Sequence, residues 1–382
     1  AMILYWNGWE RSGMIDRTLL KREEAAVFSL RALYRNYGYV TYRMSKFEEY
    51  EFYLRNKEFL VSDRIITFQD TDGKLMALKP DVTLSIVKNG KDQPGCVQRY
   101  CYNENVYRAS GSAQPFREIL QTGLECVGDL DLYDIYEVVS LAAQSLACIR
   151  EDFVLDVAHL DILRAILGET GGDEAFCRQA ARCIAEKNAH DLQALCWQAG
   201  IPEPAAQKLA EFMEIHGEMA AVLAQLAPLC TTQEERAALG ELHTLAAMLQ
   251  GTAYAERIRF DFSIVNDMNY YNGVVFKGFL NGVSRGVLAG GQYDKLMRRL
   301  GRRARAIGFA LYLDLLDELE AQENENDVDV LLLYDESIPP ETVAAKAAAL
   351  QAEGRRVSAQ RAVPERLRYG AVLDLRKEAA TC

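Results

Sequence analysis

The stretch Arg99–Gly128, RYCYNENVYRASGSAQPFREILQTGLECVG, decides the fold. It reads as strand, polar loop, strand. Tyr100, Tyr102, Val106 and Tyr107 supply aromatic and β-branched residues before the break, and Ile119, Leu120 and Leu124 supply apolar ones after it. Residues 110–115, rich in Gly, Ser and Pro, form the turn. Strand alternation puts Gln121, Gly123 and Glu125 on one face: an amide and a carboxylate with a gap between them. That pair suits a small ligand carrying an ammonium or imidazole group. Taken by itself, the segment also reads as a solvated sheet face.

Outward from this hairpin the pattern stays mixed. Arg22 to Tyr37 has apolar residues at helical spacing and ends at Gly38, and Tyr39 to Met44 follows as a strand. Ile65 to Asp70 and Lys74 to Leu78 read as two strands around a turn at Thr71-Asp72-Gly73. LKPDVTLSIVKN then opens a helix, with Asp81 and Thr83 as capping chemistry. Downstream of the hairpin, Asp134 to Ile149 is a helix with an apolar face, Phe153 to Val157 a strand and Leu160 to Leu167 a helix. Residues 173–250 are rich in Ala and Leu and lack strand signals, so they read as helical throughout. RIRFDFSIV restores alternation, with Ile258, Phe260, Phe262 and Ile264 on one face. NDMNYYNGVVFKGFL, VLAGGQYDKL and AIGFALYLDLL follow, the last reading as a helix over GFALYLDLL. Residues 327–376 give strand, helix, strand, strand.

Several fragments resemble class II aminoacyl-tRNA synthetases, in family order. Arg99–Gly128 resembles their motif 2, with Arg108 at the motif-2 arginine. FREILQTGLECVG is similar to the histidyl-tRNA synthetase pattern in which a Gln and a Glu face histidine. LKPDVT resembles the LRPEGTA-like element, with Lys79 for Arg and Asp81 for Glu. NDMNYYNGVVFKGFL resembles RGLDYYTGxVFE through Tyr270, Tyr271, Gly273, Val275 and Phe276, and GGQYD resembles GGRYD through Gly290, Gly291, Tyr293 and Asp294. The helix and strand over residues 22–44 match motif 1, the dimer element, by position.

The resemblance implies an α+β fold, an antiparallel sheet flanked by helices. Residues 1–170 and 252–322 would form the synthetase-like core, 171–251 a helical insertion, and 326–382 a truncated remnant of an anticodon-binding α/β domain. It implies a histidine-like pocket of Asp81, Thr83, Arg108, Gln121, Glu125, Tyr270, Tyr271, Gly291 and Tyr293. Asp81 and Glu125 would pair with the α-ammonium, while Gln121, Tyr271 and Tyr293 would orient the ligand and read its imidazole.

The catalytic cations do not follow. Carboxylate attack on an α-phosphate needs fixed positive charge at the reacting centre. Asn266 stands where the histidine signature opens with Arg, Leu315 where motif 3 ends with Arg, and Ser110 where motif 2 carries a Glu. Asp267, Asn269 and Tyr312 depart too, Tyr312 replacing a small Gly beneath the nucleotide. Retained amino-acid pocket and dismantled nucleotide pocket together resemble the regulatory-subunit family of ATP phosphoribosyltransferase, a synthetase paralogue. That implies no catalytic residues of its own, a short-form catalytic partner in a hetero-oligomer, a homodimeric core and histidine as ligand. A divergent histidine–tRNA ligase and a separate histidine-binding paralogue stay open as alternatives.

Composition sets the remaining bounds. The chain has 382 residues, 49% hydrophobic and 26% charged, with net charge −12. That acidity argues against a large nucleic-acid surface, so tRNA is not an expected partner. One basic cluster, Arg298, Arg299, Arg302, Arg303 and Arg305, fits either an acidic partner or a solvated face. Nine Cys without CxxC and four scattered His predict no metal, and the unpatterned Cys suit a reducing cytoplasm; no cofactor is expected. No opening signal segment and no apolar run of membrane length are read.

Overall fold

The computed structural model describes residues 20–57, 60, 65–109, 116–264, 270–320 and 326–379. The turn residue Ser110 and the departures Asn266, Asp267 and Asn269 lie outside these. Two compact units divide at Glu318/Leu319.

The first unit is built on the hairpin. Helix α1 (Arg22–Asn36) ends before Gly38, whose φ of 80° an L side chain rarely adopts, and leads into β1 (Val40–Thr41). A small antiparallel sheet is formed by β2 (Phe47–Glu49), β3 (Thr67–Gln69) and β4 (Leu75–Leu78), with α2 (Tyr50–Arg55) between its first two strands. Helix α3 (Thr83–Asn89) then precedes the long strands β5 (Val97–Ala109) and β6 (Phe116–Gly128). These pair antiparallel from Val97↔Gly128 to Ala109↔Phe116. Helix α4 (Leu132–Ile149) starts on an Asp131 capping box and lies mostly buried behind the sheet. It is apolar and long enough to cross a membrane, and 61% of it is buried here as core.

The chain continues through β7 (Phe153–His159) and α5 (Leu160–Glu169). It then runs through α6 (Glu174–Ala185), α7 (Ala189–Gln198), α8 (Glu203–Met213), β8 (His216–Glu218), α9 (Met219–Leu226) and α10 (Gln233–Gln250). The helical reading of 173–250 therefore misses one strand. β8 pairs with the next strand of the large sheet, β9 (Ile258–Asp261). Its three residues sit between helices and carry no alternation to reveal it. RIRFDFSIV is also shorter as a strand than its alternation implies. Asp261 Oδ1 accepts the backbone N–H of Ser263 at 2.8 Å, and residues 262–264 turn into a 3-10 helix.

Strands β10 (Asn272–Leu280), β11 (Leu288–Gln292) and β12 (Arg305–Tyr312), with α11 (Asp294–Arg299) inserted, complete the sheet. Its order is β1-β5-β6-β12-β11-β10-β7-β9-β8. The middle, from β5 to β7, is antiparallel, while β1·β5 and β7·β9 are parallel. GFALYLDLL is thus not a helix. It is paired on both sides, to β11 through Leu311 and to β6 through Tyr312, and only Leu313–Leu316 turn helical. Two neighbouring strands satisfy its backbone, which outweighs the helix preference of its Ala and Leu.

After α12 (Asp317–Glu320), the second unit holds β13 (Val328–Leu333), α13 (Pro340–Ala352), β14 (Val357–Gln360), β15 (Tyr369–Asp374) and α14 (Leu375–Ala379). Its sheet order is β14-β13-β15, all parallel. Leu332, Ile338, Val343 and Leu375 form its small core.

A buried acidic cavity as candidate functional site

β6 turns Gln121 and Glu125 toward one face, as alternation requires, and Gly123 between them is obligatory. A Cβ there would stand 2.1 Å from the Phe309 carbonyl oxygen and 2.6 Å from Tyr102 Oη. β12 runs alongside with Gly308 in register with Glu125. A side chain at 308 would meet Glu125 Oε2 at 1.9 Å. Two glycines on neighbouring strands thus make room for one carboxylate.

Glu125 is only 2% exposed, and two hydroxyls hold it. Thr83 Oγ1, on the first residue of α3, donates to Oε1 at 2.6 Å. Tyr293 Oη donates to Oε2 at 2.5 Å. Burial pushes the Glu125 carboxyl up to about 8, against the two hydroxyls that pull it down, and Asp81 adds to the rise. Asp81 Oδ1 accepts the N–H of Leu84 at 2.8 Å at the start of α3. Burial raises its pKa as well, while the Leu84 N–H and the Arg108 guanidinium oppose that shift.

These groups enclose a cavity of about 60 Å³, lined also by Tyr102, Arg108, Gln121, Tyr270, Tyr271 and Tyr312. Gln121 is 3% exposed and its Nε2 has no hydrogen-bond partner. A buried donor without an acceptor is costly, so the cavity asks for a ligand acceptor at that point. Tyr270 and Tyr271 stack edge-on, their ring centroids 4.6 Å apart, and Tyr293 lies 6.0 Å from Tyr270. The cavity therefore offers two carboxyls, one orphaned amide donor and a wall of phenols. Such a set holds a small zwitterion whose cation meets the carboxyls.

Of the nine pocket residues read from the sequence, eight line this cavity. Gly291 stands behind its wall instead: a Cβ there would press on Val275 Cγ1 at 2.8 Å and Tyr271 Cδ1 at 3.0 Å. Tyr102 and Gly308 belong to the wall and were not anticipated there. Only the register of β12 on β6 reveals Gly308, and register across a long sequence gap leaves no local signal.

At the opposite end the cations are engaged. Arg108 Nε donates to the Pro80 carbonyl at 3.4 Å, and its charge and hydrogen bond act on the Tyr312 phenol. Arg117 pairs with Asp314 at 2.9 Å. Leu315 is 8% exposed, an apolar residue packed away. Of the basic cluster, Arg302 is tied to Asp92 and to the Val87 carbonyl, and Arg305 to Asp294 and the Leu130 carbonyl.

Comparison with known proteins agrees with this fold. The family model for histidyl-tRNA synthetase matches residues 16–316. The ATP phosphoribosyltransferase regulatory subunit of Oceanobacillus iheyensis is 25% identical over 283 residues, 73% of this chain and 69% of that protein. The crystal structure of an ATP phosphoribosyltransferase regulatory subunit/histidyl-tRNA synthetase from Bacillus halodurans shares the fold at a TM-score of 0.71. It is 24% identical, over 92% of this chain and 93% of that one. The ATP phosphoribosyl transferase (HisG:HisZ) complex from Thermotoga maritima contains a chain of the same fold at TM-score 0.60 and 19% identity, over 76% of this chain and 97% of that one. A model match over most of the first unit, on strands that carry the motifs, means that this chain belongs to the histidyl-tRNA synthetase family.

Proposed function

We propose that this chain is a regulatory subunit of ATP phosphoribosyltransferase, required by a short catalytic subunit and responsive to histidine through the cavity around Glu125. The observation that carries the reading is the division of the site. The amino-acid end keeps Asp81, Thr83, Gln121, Glu125 and Tyr293 around an orphaned donor, while Leu315 lies buried and uncharged where an activating enzyme needs a cation. The similarity to the Oceanobacillus regulatory subunit supports the pathway, and the similarity to a chain of the Thermotoga HisG:HisZ complex supports the partner.

Aminoacylation is lost on this reading. Arg108, the remaining motif-2 cation, is turned to the Pro80 carbonyl and to Tyr312. Histidine binds with its ammonium between Asp81 and Glu125 and an acceptor atom on Gln121 Nε2. The core pairs with a second copy of itself, a reading favoured by Phe28 on α1 and Val40 on the edge strand β1, 51% and 64% exposed. Residues 171–251 act as a helical insertion in a core of 1–170 and 252–322, and 326–382 as a remnant domain.

The test mixes the protein with a short-form catalytic subunit and follows turnover of ATP and phosphoribosyl pyrophosphate. Turnover only in the mixture, lowered by histidine, supports the reading. Absence of both stimulation and co-elution would sink it.

A further inference from the structure

The front face of the large sheet, which carries the acidic cavity, continues past it. Cross-strand register sets Gly123 beside Ala310, Ala310 beside Ala289, Ala289 beside Lys277, Lys277 beside Asp156, and Asp156 beside Arg259. Partners in register share a face, so one row crosses β6, β12, β11, β10, β7 and β9. Its first half is a floor of small residues, of which Ala289 and Ala310 line the cavity. Its second half is three charges, beginning one strand spacing of about 4.8 Å beyond Ala289. Gly286 leaves room for the Lys277 stem, since a Cβ there would stand 2.5 Å from Lys277 Cε. The ammonium rests over the Phe279 ring, 5.5 Å from its centroid. Asp156 is half-buried. Burial pushes its carboxyl up to about 6, with Asp261 adding to the rise and Arg259, Lys187 and Lys277 opposing it. None of the three side chains makes a hydrogen bond or an ion-pair contact among the described residues. The charges around them are spent. Asp261 holds Lys187 at 2.9 Å. Glu218, across from Arg259 on β8, accepts the N–H groups of Ala220 and Ala221 at the start of α9.

We propose that this row is a ligand site for a small hydroxycarboxylate, a carboxylate monoanion with a hydroxyl on a neighbouring carbon. Lys277 and the exposed Arg259 donate to the carboxylate from either side, and Asp156 between them accepts from the hydroxyl. The charge count selects this class. The row carries two positive groups and one negative, so a monoanion brings it to neutrality. A zwitterionic amino acid would leave it one charge positive, and a phosphate dianion one charge negative beside Asp156. A plain carboxylate would meet the cations and leave Asp156 without a donor. A half-buried carboxylate gains from a hydrogen bond that it does not make in the empty protein, so the hydroxyl adds affinity. The acidic cavity does not compete for this ligand, because the carboxyls of Asp81 and Glu125 disfavour an anion. The site stands on its own charges and does not depend on the regulatory reading.

Ligand-observed NMR titration of the full-length protein tests this with three probes: glycerate, propionate and inorganic phosphate. Glycerate is expected to bind with a Kd on the order of 1 mM, roughly ten-fold tighter than propionate, which lacks its hydroxyls, and tighter than phosphate. Lys277→Met with Arg259→Met is expected to weaken glycerate at least roughly ten-fold. Asp156→Ala is expected to bring glycerate and propionate to one affinity, and to tighten propionate, whose carboxylate no longer meets a like charge. Unchanged circular dichroism and melting temperature show that the variants fold. Arg259→Met alone, at an exposed position, carries the cation test if the double variant does not fold, with a loss of roughly three-fold or more. No saturable glycerate binding up to roughly 50 mM overturns the proposal. So does equal affinity for glycerate and propionate, binding that survives the loss of the cations, or a glycerate preference that persists in Asp156→Ala.

Discussion

The two ends of the front cavity are built from the same strands and differ in what they leave unsatisfied. At the Glu125 end, two carboxyls with raised pKa values share a buried space with an amide that has no acceptor. Toward Tyr312, Arg108 is engaged by the Pro80 carbonyl; beyond the cavity lining, Arg117 pairs with Asp314, whose other oxygen meets no donor among the described residues. At the first end two carboxyls face the single guanidinium of Arg108; toward the second, the cations among the described residues already have partners. A cavity binds what its walls leave unmet, so the acid end favours an amine-bearing ligand.

The largest expected effect comes from pH. The Glu125 carboxyl is raised from 4.5 to about 8 in the folded protein. A group with a raised folded pKa stabilises below its unfolded value, and that contribution is lost as pH climbs through the folded one. Between pH 5 and 8 the unliganded protein should lose roughly 3–4 kcal/mol relative to Glu125→Gln, measured by chemical denaturation. Histidine, by placing an ammonium beside the ionised carboxylate, should return more stability at pH 8 than at pH 6. Parallel stability curves for the wild type and Glu125→Gln would remove the acid end from the comparison.

Substitutions sharpen the same contrast. Glu125→Ala should lower histidine affinity at least roughly 100-fold by calorimetry while the chain still folds. Unchanged affinity would sink the pocket assignment. Gln121→Leu should act in two directions. Removing the orphaned donor should raise the stability of the empty protein by roughly 1 kcal/mol, while histidine affinity falls roughly ten-fold because the ligand loses its donor. A loss in both would mean that Gln121 is satisfied in the empty protein and serves only packing.

These chemical groups were readable because they lie within short spans. Gln121 and Glu125 are four residues apart on one strand, and Asp81 and Thr83 open one helix, so periodicity alone puts each pair on a face. What joins them was not readable. Thr83 reaches Glu125 across 42 residues and Tyr293 across 168, so no local pattern reveals either bond. The same limit explains the helix expected over GFALYLDLL, since composition cannot show that a strand waits on either side.

The smallest effect is expected at the Tyr312 end, and it is the most discriminating. Arg117 and Asp314 form a partly exposed ion pair, with side chains 39% and 20% exposed. Pairs of that kind contribute roughly 0–1 kcal/mol, so Arg117→Met should change stability little and leave histidine affinity within roughly two-fold. If the two ends worked together on one substrate, as an activating enzyme requires, the loss of this cation would be felt in binding. The uncompensated Asp314 carboxylate would then also raise the cost of bringing in a phosphate, and any pyrophosphate exchange would fall with it. An Arg117→Met protein that binds histidine normally, from a parent with no exchange activity, means the two ends are uncoupled. The acid end then works alone, as a sensor of the amino acid rather than one half of a catalytic site.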